Sequence, residues 1–303
     1  MDTLQQKNQL KQLFLFINIF NLTIILMAKN TLVYRGKSKD VYDITEGPYA
    51  GKYLIDFKDE ATGYFENGKP VFDPGYDTVV GEIPGKGAIG CRFATHFFKL
   101  LKAQGIPSHY IDTISDNEMV VEPAIPLFMK VESPEFPGSA PLLNLEFTWR
   151  NNATGSFWRR YPFVRPCKNL NKVVEAWTKG DTDILITLEA LEETGALSKD
   201  EIAHSVELVK NIAEIVSQEF TTKNLHVIDG KFELGRLKYG DGKIVIIDEI
   251  SPDVLRVCKG FSPDERGNCT INEQCTVTNY SDGKRTIKNK NQVPAADFIN
   301  VFL

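Results

Sequence analysis

The chain has 303 residues, 42% hydrophobic and 25% charged, with a formal net charge of −5 at pH 7. That length suits two modest domains or lobes with a sizeable core. The acidic balance excludes nucleic acid as an expected partner, so any anionic small molecule would have to be held by local Lys and Arg clusters. Five cysteines (Cys91, Cys167, Cys258, Cys269 and Cys275) lack C-x-x-C spacing, which points to reduced thiols in a cytosol rather than a disulfide framework or a zinc site. Cys269 and Cys275 could close a small loop, although nothing requires it.

Lys7 and Lys11 precede a largely apolar run, Leu13 to Met27, interrupted by Asn18 and Asn21. It is short for a membrane span and no small-residue cleavage site follows. Three accounts fit: a signal peptide in outline, a helix docked on another subunit, or an upstream extension with the native start at Met27. The last is the simplest and is the expectation here.

From Thr31 the chain becomes strand-rich. Leu32 to Tyr34 leads into Gly36-Lys37-Ser38-Lys39, and alternation resumes at Val41-Tyr42-Asp43. A glycine in a tight turn lets the backbone approach a polyphosphate, and two lysines two residues apart can neutralise it. Lysines at a hairpin tip are also often simply solvated. Tyr53 to Phe57 reads as a further strand, Lys58-Asp59-Glu60 follows, and Asn67-Gly68 is a turn signal, so this region is expected to be an antiparallel sheet.

Gly85-Lys86-Gly87 opens a helix in which Phe93, Phe97, Leu100 and Leu101 form an apolar stripe, and Gly105-Ile106-Pro107 ends it. His96 beside that stripe reads as a surface residue rather than a ligand. Tyr110-Ile111 and Met119 to Val121 are strands around a Ser115-Asp116-Asn117 turn. Glu122-Pro123-Ala124-Ile125-Pro126 breaks regular structure, since proline cannot donate to a sheet ladder. This is the expected hinge between lobes. The backbone at Glu122 and beyond could read an adenine edge, or serve as a plain linker.

Pro134 to Pro141 is a Pro/Gly-rich loop. Leu142 to Trp149 reads as a strand that delivers Arg150 at its end to the loop ending in Gly155-Ser156, an arrangement that can cradle an anion. Arg159 and Arg160 read as stacking on neighbouring aromatics or facing solvent. After the acidic stretch Asp181 to Leu185, Lys199 to Phe220 has the strongest helical pattern. Ser198 and Glu201 form its capping box, and Ile202, Val206, Val209, Ile212, Ile215 and Val216 form its core stripe. It feeds a strand, Leu225 to Ile228.

Asp229 to Arg256 then reads as a β-hairpin and the segment after it. Lys231, Glu233 and Gly235 follow Asp229 at a spacing of two and share one face. Tyr239 to Lys243 contains the Asp-Gly turn signal. Ile244 to Ile247 is a buried strand, ending abruptly in Asp248-Glu249, with Ser251-Pro252-Asp253 and Arg256 beyond. Carboxylates at the end of a buried strand are costly unless something cationic satisfies them. A divalent metal carrying a nucleotide does this, because Mg²⁺ takes one or two carboxylates together with phosphates. The same charges also fit a solvated surface hairpin. Beyond Arg256 the chain reads as polar and loop-rich.

Taken together, Tyr34 to Tyr42 (Y-R-G-K-S-K-D-V-Y), Gly85 to Gly87 (G-K-G), Arg150 to Ser156 (R-N-N-A-T-G-S), Asp229 to Gly235 (D-G-K-F-E-L-G) and Asp248 to Arg256 (D-E-I-S-P-D-V-L-R) resemble the phosphoribosylaminoimidazole-succinocarboxamide (SAICAR) synthetase family, in the order that family shows. Arg256 is followed by Val257-Cys258, where the family usually has Trp-Asp, and Gly90-Cys91 stand where it commonly has asparagines.

The resemblance implies an α+β, two-lobed fold: an N-terminal extension (1–27), an antiparallel β-rich ATP-grasping lobe (28–123) and an α/β C-terminal lobe (124–303), with ATP in the cleft between them. It implies ligation of carboxyaminoimidazole ribonucleotide (CAIR) to L-aspartate with ATP and Mg²⁺, in the cytoplasm, by an enzyme that is commonly a homo-oligomer. No membrane, lipid or redox cofactor is implied. Carried over by position, Gly36, Lys37, Ser38, Lys39 and Glu122 would hold the nucleotide, and Glu233 and Asp248 the metal. Arg150 and Ser156 would anchor the ribonucleotide phosphate, with Asp253 ordering the substrate loop. Asp229, Lys231 and Arg256 would do the chemistry. The alternatives are a small-molecule kinase of similar fold, such as an inositol-phosphate kinase, and a catalytically inactive nucleotide-binding homologue.

Overall fold

The structure, a computed structural model, describes residues 30–72, 78–127, 144–165, 167–179, 183–239, 241–259 and 276–278. The apolar run before Met27, the Pro134–Pro141 loop, residues 181 and 182, and Cys269 and Cys275 lie outside those residues.

Among the described residues, three sheets and two long helices carry the fold. The first sheet has the order β1-β2-β3-β8-β7 and is antiparallel throughout. Its strands are β1 (Asn30–Arg35), β2 (Lys39–Ile44), β3 (Tyr53–Phe57), β7 (Tyr110–Thr113) and β8 (Glu118–Val121). A small sheet beside it has the order β5-β4-β6, from β4 (Glu60–Glu66), β5 (Lys69–Phe72) and β6 (Thr78–Glu82). Asn67 and Gly68 both take positive φ (50° and 74°) in the β4–β5 turn, the twist that closes a two-residue hairpin.

Helix α1 (Lys86–Ala103) lays Phe93, Phe97, Phe98 and Leu101 into the core, all at 0% exposure. Its first turn is fixed from a distance: the amides of Gly85 and Gly87 each donate to the Asp59 carboxylate at 2.9 Å, a favourable place for an anion. A Cβ on Gly87 would stand 2.3 Å from the Phe57 carbonyl, so only glycine lets α1 start this close to β3. His96, expected at the surface, is half-buried against Phe97 and meets Glu219 at 3.1 Å.

The third sheet is built on one long strand. Leu225–Leu237 is a single 13-residue strand, β13, so the strand expected at Leu225–Ile228 and the first arm of the hairpin are continuous. On one side it pairs with β10 (Asn144–Asn152) and, beyond the end of that strand, with β9 (Ala124–Pro126). It also pairs with β14 (Ile244–Ile247) and β15 (Leu255–Lys259). Outward from β10 lie β11 (Asn169–Lys179) and β12 (Leu185–Ile186), and β16 (Thr276–Thr278) lies outside β15. Two short helices, α2 (Gly155–Arg160) and α3 (Leu188–Glu193), precede α4 (Lys199–Thr221). Helix α4 carries the expected Ser198–Glu201 capping box and packs Val209, Ile212 and Val216 into the core.

Four expectations about this sheet need correction. The Glu122–Pro126 segment is not wholly irregular: Ala124–Pro126 pairs with β13 opposite Gly235–Leu237, and a three-residue strand tolerates a terminal proline because the donor it lacks is lost only at its end. Arg150 is not at a strand end, since β10 runs on to Asn152, and Gly155-Ser156 begin a helix rather than lie in a loop. The chain after Arg256 also continues as a strand to Lys259.

Sheet alternation divides β10 and β13 into two faces. Leu145, Phe147 and Trp149 with Phe232 and Leu234 join the buried core that α1 and α4 cover. The opposite face carries Glu146, Thr148 and Arg150 across from Glu233, Lys231 and Asp229. Polar side chains therefore fill one whole side of the central strand pair.

Candidate active site

At one end of that polar face, Asp229 is held between two arginines. Arg150 Nη1 donates to its Oδ2 at 2.9 Å and Arg256 Nε to its Oδ1 at 2.6 Å, with Arg256 Nη2 also on Oδ2. All three come from different strands brought together by register: Asp229 lies opposite Arg150 in β10 and opposite Arg256 in β15. Arg150 Nη2 also reaches Ser156 Oγ at 3.1 Å, and Arg256 Nη2 reaches Thr154 Oγ1 at 3.0 Å. Thr154 is the N-cap residue of α2 but makes no side-chain cap, because its hydroxyl oxygen is given to Arg256. Gly155 has φ 54°, and a Cβ there would stand 2.8 Å from the Arg256 guanidinium. A glycine is needed at that point.

At the other end, Asp248 ends β14 with φ 65°, a left-handed conformation that Asp tolerates better than most residues. Lys39 Nζ lies 3.1 Å from Asp248 and also contacts Glu249. Burial works against charge on Lys39, but those two carboxylates outweigh it and hold its pKa above the ordinary lysine value. Lys179, at the end of β11, contacts Glu233 and is held high in the same way. Burial and the nearby Asp248 charge push the Glu233 pKa up, although Lys179 opposes them; Asp248 is itself held low by Lys39 and Lys179 despite its burial. The carboxylates expected to attract a cation are thus met by the chain's own lysines.

Lys231 lies between the two ends. Its Nζ is 2.7 Å from Glu146, and its side chain remains 44% exposed while Glu146 is 5% exposed. Burial would lower the Lys231 pKa, but the Glu146 charge more than offsets it, so the amine is held charged. From Asp229 to Glu233 is four strand residues, about 13 Å. The face can therefore hold anionic groups at two points with a cation between them.

A family profile settles what this arrangement belongs to: that of SAICAR synthetase matches residues 32–268. The chain belongs to the SAICAR synthetase family. It is 38% identical over 232 residues to the phosphoribosylaminoimidazole-succinocarboxamide synthase of Clostridium tetani, spanning 75% of this chain and 92% of that protein. Among solved structures it is similar to a SAICAR synthetase in complex with ADP, with 29% identity and a TM-score of 0.59 over 75% of this chain and 83% of that one. The Ehrlichia chaffeensis synthase shares the fold at 23% identity and a TM-score of 0.60, over 75% of this chain and 84% of that one.

The structure of this SAICAR synthetase family member places the remaining sequence candidates as follows. Gly36 closes the β1–β2 turn, its amide donating to the Lys39 carbonyl at 2.8 Å and its carbonyl accepting from Lys58 Nζ at 2.9 Å. Lys37 is exposed on that turn, and Ser38 accepts from the Lys58 amide through its carbonyl. The Glu122 side chain pairs with Lys52 at 2.6 Å, its amide donates to the His109 carbonyl, and the Pro123 carbonyl accepts from the Lys238 amide. Those groups of the Glu122-Pro123 segment are thereby already used within the chain. Asp253 reaches Lys86, a buried lysine of α1, at 2.6 Å.

Sequence reading missed Lys179, Glu146 and Glu175. Lys179 and Glu175 lie on β11, whose Val173, Glu175, Trp177 and Lys179 alternate in register with β10. That period-two pattern was the available signal. Among the described residues, no group of three or more His, Cys, Asp or Glu is placed to hold a metal, and no helix is long and apolar enough to cross a membrane.

Two histidines, buried His109 and half-buried His226, give a pH prediction. Burial pushes the rings of His109 and His226 down to about 4 from 6.5. Their folded pKa values lie below the unfolded ones, so their stability contribution is full above pH 6.5 and is lost as the pH falls toward 4. The urea midpoint should fall through that window, and less steeply for His226→Gln. An equal slope in both proteins would show that His226 is not held neutral.

Proposed function

We propose that this chain joins CAIR to L-aspartate at the expense of ATP, giving SAICAR, ADP and phosphate, as a step of purine biosynthesis carried out in the cytoplasm. The single observation that carries this reading is the polar face of β10 and β13. It sets an arginine pair with Ser156 at one end, a lysine–carboxylate cluster at the other and Lys231 between them. A ribonucleotide laid along that face would put its phosphate on Arg150 and Ser156 and its carboxylate near Lys231. The relatives' names and the ADP-bound structure support the same assignment, and the buried thiols of Cys91 and Cys167 suit a reducing compartment.

In this reading Gly36, Lys37, Ser38 and Lys39 cover the ATP phosphates and the Glu122 hinge faces the adenine. Glu233 and Asp248 hold Mg²⁺. Two half-buried carboxylates are a hard-oxygen donor set that suits Mg²⁺, which needs only one or two of them beside phosphate oxygens. When bound, the metal neutralises charge on the phosphates being separated. The chain's own groups do the positioning. Lys39, released from Asp248 and Glu249, moves to the phosphates. Lys231 keeps its proton and stabilises charge at the carboxylate that accepts the phosphoryl group. Asp229 and Arg256 line the substrate, and Asp253, fixed by Lys86, orders the loop before Arg256. A carboxylate is a poor electrophile; its phosphorylation gives an acyl phosphate that the aspartate amine attacks, so alignment and charge neutralisation supply most of the catalysis.

The test is ADP release from ATP and Mg²⁺ with CAIR, with and without L-aspartate. Release that needs both co-substrates supports the ligase. Release indifferent to aspartate contradicts it and indicates a kinase of similar fold.

A further inference from the structure

Glu175 sits on β11 beside Arg150, where no role has been given to it. Its carboxylate is 8% exposed, and both oxygens are taken by donors of the chain. Oε2 accepts from Arg150 Nε at 3.0 Å and from Thr148 Oγ1 at 3.5 Å, and Oε1 accepts from Arg160 Nη2. Each oxygen already accepts from the chain, which commits the carboxylate to holding other side chains. Its effect must pass through the groups it holds.

Those groups are themselves fixed. The Arg160 guanidinium lies 4.8 Å over the Trp177 ring and 5.8 Å from that of Tyr161. Trp177 Nε1 in turn donates to Thr148 Oγ1 at 2.9 Å, which orients the hydroxyl toward Glu175. The result is an alternating row of charges: Arg160, Glu175, Arg150, Asp229, Arg256. Two carboxylates stand among three guanidiniums, so the row keeps one surplus positive charge.

A guanidinium has five N–H donors in one plane. In Arg150, Nε is committed to Glu175, one Nη1 hydrogen to Asp229 and one Nη2 hydrogen to Ser156. The bonds at Nε and Nη1 fix the plane and its rotation. One hydrogen on Nη1 and one on Nη2 remain beyond these bonds, and paired recognition of a phosphate uses such a fork.

We propose that Glu175, braced by Arg160 on Trp177, is a positioning residue that aims the Arg150 fork at the phosphate of the ribonucleotide substrate. The proposal rests on the assignment of Arg150 as the phosphate anchor. Replacing Glu175 by Gln keeps the side-chain shape but loses the charge that holds both arginines, and should weaken ribonucleotide binding without touching the nucleotide end of the face.

Steady-state kinetics varying CAIR, ATP and L-aspartate in turn tests this. Glu175→Gln should raise the KM for CAIR about tenfold or more, with the KM values for ATP and aspartate and the kcat close to wild type. Arg160→Gln should change the CAIR KM in the same direction by a smaller factor, and it decides the matter if Glu175→Gln does not fold. An unchanged CAIR KM, or an equal rise for all three substrates, overturns the positioning role. Arg150→Lys separates the two levels. If it leaves the CAIR KM unchanged, the anchor assignment fails and the proposal with it. If it raises that KM while the Glu175 and Arg160 variants do not, only the positioning role fails.

Discussion

A Lys231→Ala variant should lose about 10²- to 10³-fold in kcat, the usual cost of deleting a charge aimed at a developing anion. Lys231 is the most accessible of the three lysines of the site: its side chain is 44% exposed, against 34% for Lys179 and 12% for Lys39. It is also the one set between the arginine pair and the carboxylate cluster. Truncation leaves Glu146, buried beside it, without its cation, and an unpaired buried carboxylate destabilises the fold. A lower melting temperature is therefore expected along with the lost rate. The double variant Lys231→Ala/Glu146→Gln separates the two effects, because it removes the orphaned charge while leaving the lysine absent. Stability should return toward wild type and kcat should not. Recovery of both would assign Lys231 a structural part only.

The largest effect on stability is expected at Asp229. Replacing it by Ala should cost about 3–5 kcal/mol in unfolding free energy, because breaking a buried ion pair leaves its partner charged and unpaired. Arg150 and Arg256 both rely on that one carboxylate. Arg150 retains Glu175 and Ser156, whereas Arg256, among the described residues, is left with the Thr154 hydroxyl. Arg256 should therefore be the group that moves, and Gly155 packed against it should move too. Urea unfolding of the variant measures this directly. A loss within about 0.5 kcal/mol, the range of an ordinary surface substitution, would mean that solvent reaches the arginine pair freely.

Much of this architecture is legible in the residues themselves. The helix at Lys199–Thr221 declares itself through Ser198, Glu201 and its apolar stripe, and α1 through the phenylalanines that end at Gly105. The Asp229–Lys231–Glu233 spacing marks one face of a strand, and the structure keeps those three in register with β10. What the sequence hides is pairing at a distance. Nothing near Asp229 indicates that Arg150 lies opposite it on one side and Arg256 on the other, since those contacts span 79 and 27 residues. Strand β11 is hard to read because one face mixes Val173 and Trp177 with Glu175 and Lys179, and the two charged side chains are the ones that serve the site. The Gly155-Ser156 segment reads as a loop because glycine usually breaks helices; here it opens one, and the room it leaves is filled by Arg256.

Lys39 shows how function departs from the simplest folding logic. A lysine at a turn is expected in solvent, yet it is drawn into Asp248 and Glu249 from over two hundred residues away. Those carboxylates need a cation, and Lys39 supplies it from within the chain.

The most direct test of the central claim follows oxygen from the substrate. CAIR labelled with ¹⁸O in its carboxylate should be incubated with ATP, Mg²⁺ and L-aspartate, and the phosphate and SAICAR analysed by mass spectrometry. If the carboxylate accepts the phosphoryl group before the amine attacks, one labelled oxygen leaves with the phosphate and the other stays in the new amide. Phosphate free of label, with SAICAR still formed, would contradict activation at that carboxylate and the part assigned to Lys231 beside it.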